Sequence, residues 1–210
     1  MEKVFKFSNK SIIFSVILVL VSLTISVSIG AAEISTDEIV GIFLREILGY
    51  QSNTEINNIN KIIILEWRLP RFCLGFLVGA SLAIAGCGFQ GVFKNPLADP
   101  FLLGSAAGAG LGVTLVIVND LNYSFGIINS VQLGAFIGAL GAVICAAFIS
   151  ISAGKSIASL LLAGIATAAF LTACQTYLMH KYYSSMQEIY SWIIGRLLTS
   201  GWEDVITILP

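Results

Sequence analysis

Five stretches of at least 20 consecutive residues carry no charged side chain, and they limit what the chain can fold into. They are residues 11–32, 72–93, 100–119, 121–154 and 156–179. A helix needs about 20 apolar residues to cross the hydrocarbon core of a bilayer. Lipid offers no hydrogen-bond partners, so the backbone groups of such a segment must pair within a helix. The runs therefore predict an all-α, polytopic membrane helix bundle.

The composition agrees with lipid as the main solvent. Of the 210 residues, 57% belong to the hydrophobic set and 11% are charged, whereas a typical soluble domain is about 25% charged. The net charge of −1 leaves no basic field for nucleic acid. The four cysteines lie inside apolar runs without Cys-x-x-Cys spacing, which favours reduced packing residues over disulfides or metal ligands.

The apolar runs predict one membrane domain, residues 1–210, with five complete transmembrane helices and the start of a sixth. The predicted spans are residues 11–32, 72–93, 101–118, 131–151, 157–179 and, incomplete, 205–210. The run 121–154 is too long for one span, and its polar first part predicts a loop.

The N-terminal segment has two interpretations. Three lysines precede an apolar stretch that ends in small residues, as in a secretory signal peptide. The stretch is longer than a usual signal sequence and further spans follow it, so a retained first helix is favoured. The same lysines favour a cytoplasmic N-terminus, although the two sides nearly tie in Lys and Arg count.

Residues 33–67 are predicted to form an outer loop that contains a short amphipathic helix at 36–48. Ser35 and Glu38 have the spacing of a capping box, and apolar residues then recur at helical intervals. We expect this helix to seal the outer end of the bundle.

Pairs of glycines four residues apart occur in three of the spans. They are Gly75 and Gly79, Gly104 and Gly108, and Gly134 and Gly138. Such pairs let helix backbones approach closely in a membrane. They predict tight helix packing rather than a ligand site.

The sequence predicts no catalytic residues, no metal site and no cofactor. His180 has no second histidine to share a metal or a triad. Gly154-Lys155-Ser156 resembles the end of a phosphate-binding loop, but Ile149 stands where the first glycine belongs. The middle of each span lacks a carboxylate, which removes the usual proton relay of a secondary transporter.

Arg68-Leu69-Pro70-Arg71 stands immediately before the second predicted span. Proline suits the first turn of a helix, where its missing N–H would be unpaired anyway. Two arginines at this spacing suit the docking of carboxylates. The alternative is that both anchor the helix end to lipid headgroups, which spacing alone favours.

A helix break and turn is predicted at Asn95, Pro96, Asp99 and Pro100. Two prolines four residues apart forbid a helix that runs through them. Asn95 and Asp99 can cap the backbone groups that the break exposes. Residues 103–110 have almost no side-chain bulk, so we expect another segment to pack very closely against them or to slide past them.

Taken in order, these motifs closely resemble the FecCD family, the membrane subunits of ABC importers for iron-siderophores, haem and cobalamin. The resemblance rests on Arg68-Leu69-Pro70-Arg71, 77–83, Gln90, 94–100, 160–166 and 192–195. It covers the chain from about Arg68 to its end. It is specific for the family and does not indicate the ligand.

The resemblance implies a multi-pass protein of the inner, or cytoplasmic, membrane with its N-terminus in the cytoplasm. Its implied partners are cytoplasmic ATPase subunits, an extracytoplasmic substrate-binding protein, a second permease subunit in a homodimer or pseudo-dimer, and membrane lipid. It also implies that Arg68 and Arg71 face outward and dock acidic residues of the binding protein. The segment Ser156, Ile157, Ala158 and Ser159 matches the family's cytoplasmic gate, although Ile157 and Ala158 are apolar for that role.

We therefore expect the transmembrane permease subunit of an ATP-driven importer for an iron-siderophore or related metal chelate. ATP hydrolysis would belong to a separate subunit. The alternatives are a non-transporting membrane scaffold or assembly subunit, an inactive truncated permease, and a secondary transporter. Family chains continue past the position of Pro210 into an ATPase-coupling segment. We thus expect a fragment, a truncated product or half of a split permease that cannot transport alone.

Overall fold

The computed structural model describes residues 9–46, 49, 56–96, 98–126, 128–195, 197 and 200–209. Its helices are α1 (Asn9–Ser28), α2 (Thr36–Glu46), α3 (Asn58–Ile62), α4 (Leu69–Phe93), α5 (Ser105–Val118), α6 (Ser130–Ser152), α7 (Ile157–Lys181), α8 (Met186–Ile193) and α9 (Trp202–Ile208). A π-helical turn, Ile63–Arg68, joins α3 to α4, and 3-10 helices occupy Pro100–Leu103 and Tyr183–Ser185. Two short strands, β1 (Ser124–Phe125) and β2 (Ile128–Asn129), pair antiparallel before α6. The predicted all-α membrane architecture is confirmed.

Among the residues that the structure describes, four segments are long and apolar enough to cross a membrane. They are Asn9–Ser28, Asn58–Phe93, Ser130–Ser152 and Ile157–Lys181. The stretch predicted as a span at 72–93 is thus the C-terminal part of a longer helix. Part of the predicted amphipathic helix, residues 47 and 48, lies outside the described residues, and α2 ends at Glu46.

The stretch predicted as a span at 101–118 is divided in two. Gly104 adopts a left-handed conformation with φ of 80° and separates the 3-10 helix from α5. The 14 residues of α5 reach about 21 Å at 1.5 Å per residue, short of a hydrocarbon core of about 30 Å. At the end of the described chain, α9 has seven residues.

The chain divides into two compact units, residues 1–77 with 198–210 and residues 78–197. In the first unit, the apolar face of α2 packs with the C-terminal end of α1 and the π-helical turn. The buried cluster consists of Val27, Ile34, Ile39, Ile42 and Ile64. These side chains hold together three elements that are separate in sequence.

Polar contacts connect α2 to α3 in this unit. The Glu38 N–H donates to Ser35 Oγ at 3.3 Å, as the predicted cap requires. The Glu38 carboxylate departs from the predicted capping box because it accepts from the N–H of Asn57 and from Nδ2 of Asn60, both at 2.9 Å. Glu46 binds Lys61 Nζ at 2.8 Å. The outer segment is therefore tied to the helix that follows it.

In the second unit, α5 and α6 cross with their backbones in contact. A Cβ at Gly108 would overlap the carbonyl oxygen of Gly138, and a Cβ at Gly138 would overlap that of Gly108. The tight packing predicted for Gly108 and Gly138 is confirmed. At Gly75 and Gly79 a Cβ would meet nothing within 4 Å in the part of the chain that the structure describes.

We predict that Gly138→Ala lowers the free energy of unfolding by about 1–3 kcal/mol, because the added methyl forces the two helices apart. The matched control is Gly141→Ala, since a Cβ at Gly141 meets no described atom within 4 Å. The control should be neutral or slightly stabilising, as alanine favours a helix. Thermal unfolding in detergent measures the stability of both variants. Equal unfolding midpoints for Gly138→Ala and Gly141→Ala would contradict the backbone contact between α5 and α6.

Candidate docking site

The π-helical turn sets the conformation of the Arg68-Leu69-Pro70-Arg71 segment. In this turn the N–H of Leu69 bonds to the carbonyl of Ile64, five residues back. By the same pattern the Leu65 carbonyl would accept from residue 70, but Pro70 has no N–H. Trp202 Nε1 donates to this oxygen at 3.0 Å. The indole thus replaces the backbone donor that proline lacks.

Pro70 lies inside a helix that begins at Asn58, not at the free start of one. A proline ring normally clashes with the carbonyl four residues back. The wider π-helical turn before it relieves this clash, so the helix continues into α4. Trp202 is not among the residues that the sequence motifs single out. The signal that could have found it is the carbonyl that an internal proline leaves without a partner.

Arg68 is buried, with 7% of its surface exposed, at the C-terminal end of α1. Its Nη1 donates to the Val27 carbonyl at 2.5 Å, and its Nη2 donates to the Ala32 carbonyl at 2.6 Å. The last carbonyls of a helix have no partner within it and form the negative end of its dipole. The guanidinium therefore caps α1.

This placement differs from the expectation that both arginines face outward. The loop after α1 brings carbonyl oxygens within reach of the Arg68 guanidinium, and these oxygens hold it inside the unit. The docking role expected for Arg68 stays a prediction.

Arg71 lies one helical turn beyond Arg68 and is half-buried. Its guanidinium carbon is 5.9 Å from the ring centroid of Trp67, a cation–π distance. Arg71, Trp67 and Arg68 line a cleft of about 550 Å³. The cleft's other lining residues are Ser26, Ile29, Gly30, Ala31, Ala32 and Ile63.

The chemistry of this cleft suits an anionic group. Its two charged lining residues are both arginines, and most of its other walls are apolar. A carboxylate that enters would meet a forked cation where water is partly excluded, which strengthens a charge-assisted hydrogen bond. Among the residues that the structure describes, no group of three or more His, Cys, Asp or Glu could hold a metal ion.

The residues expected to form a gate lie at the start of α7. Ser156 Oγ accepts from the Ser159 N–H, and Ser159 Oγ accepts from the Ser156 N–H, each at 3.0 Å. Ser159 Oγ also lies 3.0 Å from Ser150 Oγ on α6. Ile157 and Ala158 are exposed. The two serines thus fix the helix start, and the two apolar residues remain accessible.

The predicted break packs against α7. After α4 ends, Asp99 Oδ1 accepts from the Phe101 N–H at 2.9 Å and caps the 3-10 helix that Pro100 begins. A Cβ at Gly164 of α7 would overlap the Leu102 carbonyl oxygen.

The other residues of the break have simpler placements. The Asn95 carbonyl accepts from the Ala98 N–H at 3.1 Å, and Pro96 is exposed. Residue 97 lies outside the described residues.

A model of the FecCD transport family matches residues 18–210. The chain belongs to this family. It is 37% identical over 201 residues to the "Fe(3+)-citrate import system permease protein YfmE" of Bacillus subtilis (strain 168), covering 95% of this chain and 56% of that one. It is 38% identical over 158 residues to the "Hemin transport system permease protein HmuU" of Yersinia pestis, covering 73% of this chain and 47% of that one.

A solved structure also shares the fold. It is described as "An inward-facing conformation of a putative metal-chelate type ABC transporter" and matches with a TM-score of 0.72 and 24% identity. The match covers 95% of this chain and 57% of the other. The FecCD chain described here spans about half the length of the relatives it matches.

We predict that Trp202→Phe destabilises the protein by about 1–3 kcal/mol, because the Leu65 carbonyl loses its donor. The control is Trp192→Phe, an exposed tryptophan of α8 whose indole makes no hydrogen bond within the described ranges. Thermal unfolding in detergent compares the two. Adding Pro70→Ala to Trp202→Phe restores a backbone N–H and should recover part of the loss. Equal stability of both single variants would contradict the assigned role of Trp202.

Proposed function

We propose that this chain forms the membrane-crossing part of a permease subunit of an ATP-driven importer for an iron-siderophore or related metal chelate. The observation that carries the proposal is membership of the FecCD transport family over residues 18–210. The names of the iron-citrate and hemin relatives support a metal chelate as the class of cargo. The apolar helices support a role within the membrane.

The proposed partners follow from the same family. They are cytoplasmic ATPase subunits, an extracytoplasmic substrate-binding protein and a second permease subunit, identical or related. The protein would lie in the cytoplasmic membrane with its N-terminus in the cytoplasm. The helix break at 94–104 and the turn before α7 would then face the cytoplasm, and α2 would lie outside.

In this proposal, Arg71 and its cleft receive a carboxylate of the binding protein. The stacking of Arg71 on Trp67, beside the cleft, limits the conformations that the guanidinium must lose on binding. A hydrogen bond to a charged group contributes about 1.5–3 kcal/mol. One such hydrogen bond between Arg71 and a carboxylate of the binding protein would therefore contribute measurably to the affinity of docking.

The turn into α7 is proposed to contribute to the cytoplasmic gate. The capping hydrogen bonds of Ser156 and Ser159 give the helix a rigid start, while exposed Ile157 and Ala158 can pack against a second copy. Apolar side chains can close a path by excluding water. A gate of this kind would open by movement of α7 as a whole.

Purification of the native protein from its source membrane tests the proposal. We expect an ATPase to copurify and the ligand-loaded binding protein to raise its rate of ATP hydrolysis. A scaffold subunit would show no such stimulation, and that result would overturn the importer assignment.

We predict that Arg71→Glu weakens docking of the binding protein by about tenfold or more, because attraction of a carboxylate becomes repulsion. The matched control is Arg45→Glu, which reverses a charge on the same unit at a largely exposed side chain outside the cleft. Binding to detergent-solubilised complex, with membrane insertion monitored in parallel, measures the effect. Equal affinities of the two variants would exclude Arg71 from the docking site.

A further inference from the structure

We propose that Lys94 and Lys155 form a basic mouth at the cytoplasmic end of the transport path, where they attract a negatively charged metal chelate as it leaves the permease. The inference rests on the proposed function, because that function supplies the cargo and places both turns in the cytoplasm. Lys94 directly follows α4, and Lys155 stands directly before the proposed gate segment 156–159. The cargo class named here is an anionic ferric carboxylate chelate.

The first support is the backbone conformation of the two lysines. Their φ values are 48° at Lys94 and 55° at Lys155, both in the left-handed region. Residues with a Cβ adopt this region at a cost, which is lowest for asparagine and aspartate. Glycine would fit either turn without that cost. An interaction of the lysine side chain that offsets the cost would explain why lysine stands at both positions.

The second support is that the helix dipole does not account for the charge at these turns. A helix C-terminus favours a cation, yet the turn after α5 carries Asp120 in the same conformation, with φ of 49°. The close approaches of Gly108 to Gly138 and of Gly112 to Gly134 make α5 antiparallel to α6. Asp120 therefore lies at the opposite end of the unit from the turn after α6. The sign of the charge follows the end of the unit.

The two lysine-bearing turns lie where α7 begins. The Lys155 N–H donates to the Ser150 carbonyl at 3.1 Å, which holds the turn against the end of α6. The break that starts at Lys94 packs beside the first two turns of α7, because a Cβ at Gly164 would overlap the Leu102 carbonyl oxygen. In the proposed orientation both ammonium groups thus belong to the cytoplasmic end of the path.

The charge at this end is dominated by the two lysines. Both are exposed, and neither forms an ion pair with any residue that the structure describes. The neighbouring runs 100–119, 121–154 and 156–179 contain no charged residue. The acidic side chain nearby, Asp99, caps the 3-10 helix by accepting from the Phe101 N–H at 2.9 Å. The lysines are therefore available to a mobile anion.

A basic mouth suits the release of an anionic cargo. Rings of lysine or arginine favour anions in pores, and the attraction has to stay weak enough for the ion to leave. Surfaces of one charge sign raise the local concentration of the opposite ion. The ammonium of lysine is a flexible, strongly hydrated point charge without the bidentate fork of arginine. It can thus attract a chelate without retaining it.

Uptake of radioactive ferric citrate by proteoliposomes of the complete importer complex tests the mouth. We expect the double variant Lys94→Gln with Lys155→Gln to lower the uptake rate about tenfold, because the attraction of the anion is lost. The double variant with arginine at both positions should keep most of the uptake. The matched control is Lys10→Gln, which removes an exposed lysine at the start of α1. Absent uptake of ferric citrate by the wild type overturns the inference.

Two further measurements on the glutamine double variant identify what the lysines contact. We expect the binding protein to stimulate its ATP hydrolysis as in the wild type, since docking and coupling stay intact. A lost stimulation assigns the lysines to the ATPase interface and overturns the inference. Uptake that falls in vesicles with phosphatidylglycerol, but not in vesicles of phosphatidylcholine alone, assigns them to anionic lipid and also overturns it.

Glycine variants separate the charge from the fold. We expect Lys94→Gly with Lys155→Gly to unfold at an equal or higher temperature in detergent, because glycine adopts a positive φ without strain. Its uptake of ferric citrate should fall as far as that of the glutamine double variant. A lower unfolding temperature together with lower uptake would show that the lysines only stabilise the turns, and the inference would fail.

The two proposals fail in different ways. A native complex whose ATP hydrolysis does not respond to the binding protein overturns the importer assignment, whatever the lysines do. Normal wild-type uptake of ferric citrate, with the same rate in the glutamine double variant, overturns the basic mouth alone.

Discussion

The absence of hydrogen-bond partners in lipid is the constraint on which this structure depends. Helix ends and interruptions expose backbone groups that lipid cannot satisfy. The chain meets this demand with specific side chains: Arg68 at the end of α1, Trp202 beside the proline, and Asp99 at the helix break. These polar contacts therefore lie where helices stop or change pitch.

The proposed docking site arises from two of these interruptions. The π-helical turn carries Arg71 and Trp67 into position, and the end of α1 supplies the opposite wall of the cleft. Arg68 satisfies orphan carbonyls and joins the walls with the same hydrogen bonds.

Much of the architecture could be predicted from the sequence. Long uncharged runs in a chain of this composition indicate membrane helices, and glycines four residues apart indicated the backbone contact of Gly108 with Gly138. The burial of Arg68 could not be predicted, because its partners are carbonyls some 40 positions earlier in the chain. Local spacing likewise did not indicate the π-helical turn or the hydrogen bond from the Trp202 indole. The turn relieves the clash of the Pro70 ring, and the indole, which is distant in sequence, replaces the N–H that Pro70 lacks.

The most direct test of the central claim is uptake of a radioactive ferric chelate by proteoliposomes that contain the native complex. The account predicts uptake that requires both ATP hydrolysis and the binding protein and that persists when the proton gradient is collapsed. Uptake that continues without ATP and stops when the gradient is collapsed would contradict it and assign the protein to secondary transport.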